Sequence, residues 1–323
     1  MLININGFLR STVLLSALNL LASPVAGQAN RPPGVPPAPE RLVAEATIRY
    51  HVNNADVVLP VTLHGHTVTM LLGFGIDADV ELAPTMLAQL NIPLSDTTQL
   101  DSLTLGTTVE HHLAMQTLPQ VPGAASPNLP PLVGLLGNVF LARYDIVYDG
   151  PARRVRLYAR PRQTTAASAP SAWLPPEMAS VSCTPITPLP EHNAGFAIQA
   201  NGHPIHAILE TVASYTKMNM VAARTIGLTQ HSPNVHPLPA DIWEKQDAFG
   251  HPVKYQATDI RLTLGTQSFT EVPMLLFPSL DLDQYTTPVP PTLLLNPDDL
   301  QHQILLFSES SGRVCLSVPR QKT

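Results

Sequence analysis

Two stretches far apart in the chain follow one plan. LHGHTVTMLLGFG spans residues 63 to 75, and ANGHPIHAILETV spans 200 to 212. Gly65 matches Gly202, His66 matches His203, Val68 matches Ile205 and Leu72 matches Leu209, all at one offset of 137 residues. The pentapeptide LTLGT then occurs at 103 to 107 and again, unchanged, at 262 to 266. Matches that recur in the same order point to an internal duplication, so the chain has to close the same kind of core twice.

Each copy has the same coarse plan. An alternating strand ends at Gly65, or at Asn201-Gly202, which is the signature of a hairpin turn. A second strand runs to a turn, Gly73-Phe74-Gly75 in the first copy and Glu210-Thr211-Val212 in the second. A short helix follows, PTMLAQLNI (84 to 92) or VAARTIGL (221 to 228), and then further strands. Near the end of the first copy a glycine precedes another short helix, and two strands are joined by a turn at Asp149-Gly150. Short strands with little helix predict an all-β protein of two barrel lobes. The 34 prolines, about twice the average share, agree, because proline breaks helices and central strands.

The ends and joints of the copies are set by composition. Residues 1 to 27 have the make-up of a secretory signal: Arg10, an apolar run STVLLSALNLLA (11 to 22), and small residues at Val25 and Gly27. That run is too short for the ~20 residues a spanning helix needs, so no membrane span is expected after cleavage. Residues 28 to 44 form a proline-rich spacer and 161 to 180 an Ala, Ser, Thr and Pro linker, leaving lobes at 45 to 160 and 181 to 319. The formal charge of -6 excludes a basic nucleic-acid surface. Export, to a periplasm or to the outside, bears on the two cysteines, Cys183 and Cys315. A pair of thiols outside the cytosol is expected to form a disulfide, and two cysteines make a poor zinc site.

The order of these motifs resembles the retropepsin-like aspartyl protease family found in many exported bacterial proteins. The first copy carries Leu72 to Asp77, LNI (90 to 92), LTLG, LLGNVFL (135 to 141), Asp145, VYD (147 to 149) and RRVRL (153 to 157). The second carries LETVAS (209 to 214), IGL (226 to 228), LTLG, LLLNPDDL (293 to 300) and GRVCL (312 to 316). The resemblance implies two small barrels paired about a pseudo-twofold axis within one monomer. It also implies a catalytic aspartate in each lobe, the two sharing a proton: one carboxylate activates water and the other donates to the carbonyl oxygen.

The motif positions do not supply that pair. The first aspartate falls on Gly73 and its threonine on Phe74, with Gly75 keeping the motif glycine. In the second copy the aspartate falls on Glu210, Thr211 is kept, and Val212 replaces the glycine. Glu210 and Asp77 are the acids nearest to a catalytic role. Asp77 and Asp79 are open to two readings, as contacts to the backbone of a bound substrate or as turn acids beside the helix at Pro84. His64 and His66 share one strand face, yet no acid or cysteine completes a metal set, so neither metal nor cofactor is expected. His111, His112, His203 and His206 belong to hairpins or surface.

Three functions fit this pattern. The first is an exported pseudoprotease that holds a peptide or protein segment in a groove between its lobes. The second is an active aspartic endopeptidase with a non-standard site using Glu210 with Asp77 or Asp79. The third is an envelope scaffold without a groove. N-terminal sequencing of exported protein is expected to start near Gln28, and an intact Met1 would contradict the signal sequence.

Overall fold

The computed structural model describes residues 41–51, 54–94, 98–119, 130–159, 174–189, 194–211, 215–238, 255–269, 272–277 and 291–319. The expected signal, most of the spacer, most of the linker and Val212 lie outside the described residues.

The first half begins with β1 (Leu42–His51), β2 (Asn54–Leu63), β3 (His66–Leu72) and β4 (Val80–Leu82), then helix α1 (Pro84–Gln89). It continues with β5 (Gln99–Leu105), β6 (Thr108–Thr117), β7 (Leu132–Leu136), the helical turn α2 (Asn138–Leu141), β8 (Tyr144–Asp149) and β9 (Arg154–Ala159). The second half runs through β10 (Met178–Pro188), β11 (Ala194–Ala200), β12 (His203–Leu209), β13 (Thr216–Asn219) and helix α3 (Met220–Thr225). Then come β14 (Val235–Pro237), β15 (Tyr255–Ile260), β16 (Leu262–Leu264), β17 (Gln267–Ser268), β18 (Val272–Phe277) and β19 (Thr292–Leu295). A 3-10 turn at Pro297–Leu300 precedes β20 (Ile304–Ser308) and β21 (Arg313–Pro319). The first strand thus starts inside the stretch assigned to the spacer, and β10 inside the linker.

The chain is all-β, two barrel lobes in tandem, and the two halves repeat one set of strand pairings. β2 and β3 form an antiparallel hairpin, as do β11 and β12. Both turn through two left-handed residues, His64-Gly65 and Asn201-Gly202. This turn suits the twist of the flanking strands. β3 then runs parallel to β7, as β12 does to β19. β4 lies antiparallel to β7 and parallel to β6, as β13 lies antiparallel to β19 and parallel to β18. The duplicated pentapeptide occupies matching places. Thr104 pairs with Thr62 on β2, and Thr263 pairs with Gln199 on β11.

One sheet joins the halves. β8 pairs along its length with β20, from Asp149 opposite Ile304 to Asp145 opposite Ser308. The ladder continues outward through β9 and β1 on one side and through β21 and β10 on the other. Every residue of β8 and β20 is buried. Their alternation serves two cores. Ile146, Tyr148, Leu305 and Phe307 face the main core, which spans both halves, while Val147, Ile304 and Leu306 face a smaller one with Cys315. Asp145, 1% exposed, crosses the joint: its Oδ1 accepts the Ser310 amide at 3.0 Å and its Oδ2 the Ser310 hydroxyl. A buried carboxylate is tolerated here because both oxygens are satisfied.

Cys183 on β10 stands opposite Cys315 on β21, and the two are disulfide-bonded, closing a sequence separation of 132 residues. Replacing both cysteines by serine is expected to lower the unfolding free energy by about 5 kcal/mol, the chain-entropy value for a closed loop of this length. Denaturant unfolding of the oxidised protein against the double variant measures it.

Candidate functional site

β3 enters the core at Val68 and stays buried to Leu72, where the chain turns. The turn is held by its own half. The Gly73 amide donates to the Leu136 carbonyl at 2.8 Å, continuing the parallel β3–β7 ladder. The Gly75 amide donates to the Asn138 side chain at 3.1 Å, and the Asn138 amide returns a bond to the Ile76 carbonyl at 2.7 Å. Gly75 has φ +95°, a conformation that side chains rarely adopt. The chain then reaches Ala78 and β4. In the second half the Glu210 amide donates to the Leu295 carbonyl at 3.0 Å, the counterpart of the Gly73 bond.

The two turns meet across the lobe junction, and the joint is asymmetric. The Thr211 hydroxyl, 4% exposed, accepts the Phe74 amide at 2.9 Å and donates to the Leu72 carbonyl. The Thr211 amide donates to the Phe74 carbonyl at 3.3 Å. The second half thus grips the first with three hydrogen bonds. Phe74 has no hydroxyl with which to return them. Its ring is buried and meets Phe307 edge-on, with centroids 6.1 Å apart and planes at 64°. It shares a crevice with Leu141 and Ile146 of the first half and with Ile208, Leu209 and Phe307 of the second.

The acids at this joint are few. Gly73 offers none, and a Cβ built there would lie 3.1 Å from Ile76 Cγ1, so Ile76 fills the space behind the turn. Glu210 is half-buried and reaches across to the opposite turn. A Cβ built on Gly75 would come within 3.0 Å of Glu210 Cγ and 3.8 Å of its Oε1. The glycine at 75 therefore leaves the room that the Glu210 chain occupies.

Asp77 and Asp79, the two acids after the turn, separate. Asp77 is half-buried, and its carbonyl accepts the Gln116 side-chain amide at 3.2 Å. Asp79 is 6% exposed and both its oxygens are engaged within the protein: Oδ1 with Arg143 at 2.6 Å and Oδ2 with the Ala114 amide at 3.0 Å. Arg143 also bonds Glu110 at 3.1 Å, and Glu110 accepts the Tyr144 hydroxyl at 2.7 Å. Burial pushes the Tyr144 phenol far up, and the Glu110 bond adds to the rise. Asp79 is thereby a buried anchor of the first lobe.

The histidines expected on hairpins lie there. His64, His66 and His203 are exposed around the two hairpin turns, and His111 and His112 are exposed on β6 with ring centroids 6.2 Å apart. Among the described residues no group of three His, Cys, Asp or Glu could hold a metal ion.

Two further residues emerge only from the fold. Asn138 supports the Gly75 turn. Asp299 lies in the 3-10 turn after β19, where the first half has the buried Phe140. Aligning LLGNVFL with the end of LLLNPDDL puts that acid on an apolar position, which is the signal in the sequence. Burial pushes the Asp299 carboxyl up to about 7, against the Thr216 hydroxyl bond that favours its charged form, with Asp298 adding to the rise.

No family model matches the chain, and no curated protein does. Among solved structures it is similar to the crystal structure of an aspartic proteinase from Irpex lacteus, with a TM-score of 0.49 and 10% identity, over 85% of this chain and 97% of that one.

The grip predicts a sharp dependence on one hydroxyl. Thr211→Val leaves a buried amide and a buried carbonyl with lost partners and is expected to cost about 2–4 kcal/mol of unfolding free energy. Thr211→Ser, which keeps the hydroxyl, is expected to cost under about 1.5 kcal/mol by the same reasoning. Urea unfolding of the two variants tests the difference.

Proposed function

We propose that this protein is an exported, non-catalytic relative of the retropepsin-like aspartyl proteases that holds a peptide or protein segment between its lobes. One observation carries the reading. Thr211 ties the two turns together across the junction, so positions 73 and 210 are counterparts, and one of them is glycine. Shared-proton hydrolysis needs two carboxylates close enough to split their pKa values. Here a single glutamate stands opposite Gly73 and lies along Gly75. Asp79 is committed to Arg143 and the Ala114 amide, which leaves Asp77 as the turn acid for contacts to a bound backbone. The segment adds by strand pairing along the lobe edges, with side chains entering apolar pockets on alternate residues. The disulfide supports an oxidising compartment, and one sheet built from both halves supports a monomer with pseudo-twofold lobes.

Purified protein incubated with a random peptide library, from acidic to neutral pH, is expected to give no pepstatin-sensitive cleavage. Glu210→Gln is expected to leave folding and the capture of library peptides unchanged. Gly73→Asp alone is expected to restore no hydrolysis, since the added side chain presses on Ile76 and Phe74 still lacks the hydroxyl of the motif. Cleavage by the wild type that Glu210→Gln abolishes would overturn the proposal in favour of an endopeptidase built on Glu210 and Asp77.

A further inference from the structure

The 3-10 turn Pro297–Leu300 sits at a second contact between the halves, away from the turns at 73 and 210. Against it lies Gly150, at the end of β8. A Cβ built on Gly150 would fall 1.9 Å from the Leu300 carbonyl oxygen, so only glycine admits this approach. The Gly150 amide donates to the Gln303 carbonyl at 3.1 Å, and the Tyr50 hydroxyl donates to the Gly150 carbonyl at 3.4 Å. The turn is also the direct continuation of β19. Leu295 pairs in register with Leu209, and its carbonyl accepts the Glu210 amide. The turn and the backbone that presents Glu210 are therefore connected through Leu295.

Asp299 is the unusual group in this contact. It is half-buried, and the Thr216 hydroxyl donates to it. The same hydroxyl accepts the Asn296 amide at 3.0 Å, so it joins Asp299 to the end of β19. Among the described residues no Lys, Arg or His forms an ion pair with Asp299. Its own turn contributes a second acid, Asp298, whose Oδ1 accepts the Gln301 side chain at 2.7 Å. From β8 come Tyr148 and Asp149, the latter bonded to Arg156 at 3.1 Å. From β1 comes Tyr50, its hydroxyl 3.5 Å from that of Tyr148, with the Arg153 guanidinium over its ring at 5.6 Å. Burial raises both phenols above their ordinary value, so neither ionises between acidic and neutral pH. The charge that changes there on Asp299 meets no compensating change from them.

We propose that Asp299 is a proton-controlled latch between the two halves. With its carboxyl protonated, the turn stays seated on Gly150. Ionisation places an uncompensated charge beside Asp298 at the contact, loosening the turn and, through Leu295, the strand end at Glu210.

The sign follows from proton binding. The Asp299 carboxyl lies at about 7 in the folded protein, against 3.8 without its surroundings. Between these values the native state holds a proton that the opened state releases, so stability falls as pH rises through that window and the loss is complete above about pH 7. The gap bounds the effect at about a thousandfold in the opening equilibrium, and an increase of about tenfold or more is expected.

Hydrogen exchange on the full chain tests this, comparing wild type with Asp299→Asn across acidic to mildly alkaline pH. In the wild type, protection factors of the amides at 299 to 303 and at Glu210 are expected to drop by about tenfold or more as pH rises through neutrality, after correction for intrinsic exchange. In Asp299→Asn they are expected to stay level. A carboxyl carbon-13 titration of wild-type Asp299 provides a readout that needs no variant, with a midpoint near neutrality expected. The proposal is overturned by equal protection profiles in the two proteins, by a drop shared evenly by amides throughout both halves, or by a midpoint in the ordinary carboxylate range.

Discussion

The ladder between β8 and β20 is the contact from which the rest of the molecule is built. Each strand belongs to a different half, and each is buried along its whole length. A strand covered on both faces has to find its backbone partners inside the protein, because water cannot supply them. β8 and β20 satisfy that demand with each other, so closing the sheet and joining the halves are one event. The main core is continuous across the joint for the same reason. Asp145 and Ser310 then pin one end of the ladder, and Gly150 and Gln303 close the other.

In the same molecule the turns at 73 and 210 face each other, and their residues divide the work unequally. Thr211 satisfies the Phe74 amide and the Leu72 carbonyl, two backbone groups that would otherwise be buried without partners. In the other direction Phe74 replaces hydrogen bonding with packing on Phe307 and the end of β12. The two solutions hold the joint by different means. Polar bonds fix a geometry to within tenths of an ångström, whereas an edge-on aromatic contact tolerates sliding. Gly73, which carries no acid, and Phe74, which packs rather than bonds, thus stand side by side on the turn that the second half grips.

The acids show how context assigns a role that residue type cannot. Asp77 and Asp79 are two positions apart on one turn, yet Asp79 faces Arg143 and the β6 backbone while Asp77 is only half-buried. Asp299 is the reverse case, an acid in a position that its counterpart Phe140 fills with an aromatic ring. Desolvation moves its proton affinity toward neutrality, with the nearby Asp298 adding to the rise, whereas Asp79 and Asp149 each have an arginine and Asp145 has both oxygens bonded by Ser310.

A repeated hydrophobic pattern and the glycine turns were sufficient to show an all-β chain of two similar halves. Strand alternation and turn chemistry are local properties, and each copy states them for itself. The shared offset also made positions 73 and 210 counterparts, and hence showed a glycine in one copy where the other has a glutamate. Residues that act through partners distant in the chain could not be found that way. Nothing in the sequence around Asn138, Arg143 or Gly150 says which backbone or carboxylate will stand beside it. The choice between a substrate-contacting and a structural Asp79 depended on an arginine 64 residues away. The sequence by itself determined the strand elements, their recurrence in two similar halves and the unequal residues at 73 and 210. The tertiary structure alone decided which half grips which, where each carboxylate points, and that Asp299 has no cation paired with it among the described residues, because those are properties of contacts made only when β8 and β20 close the sheet.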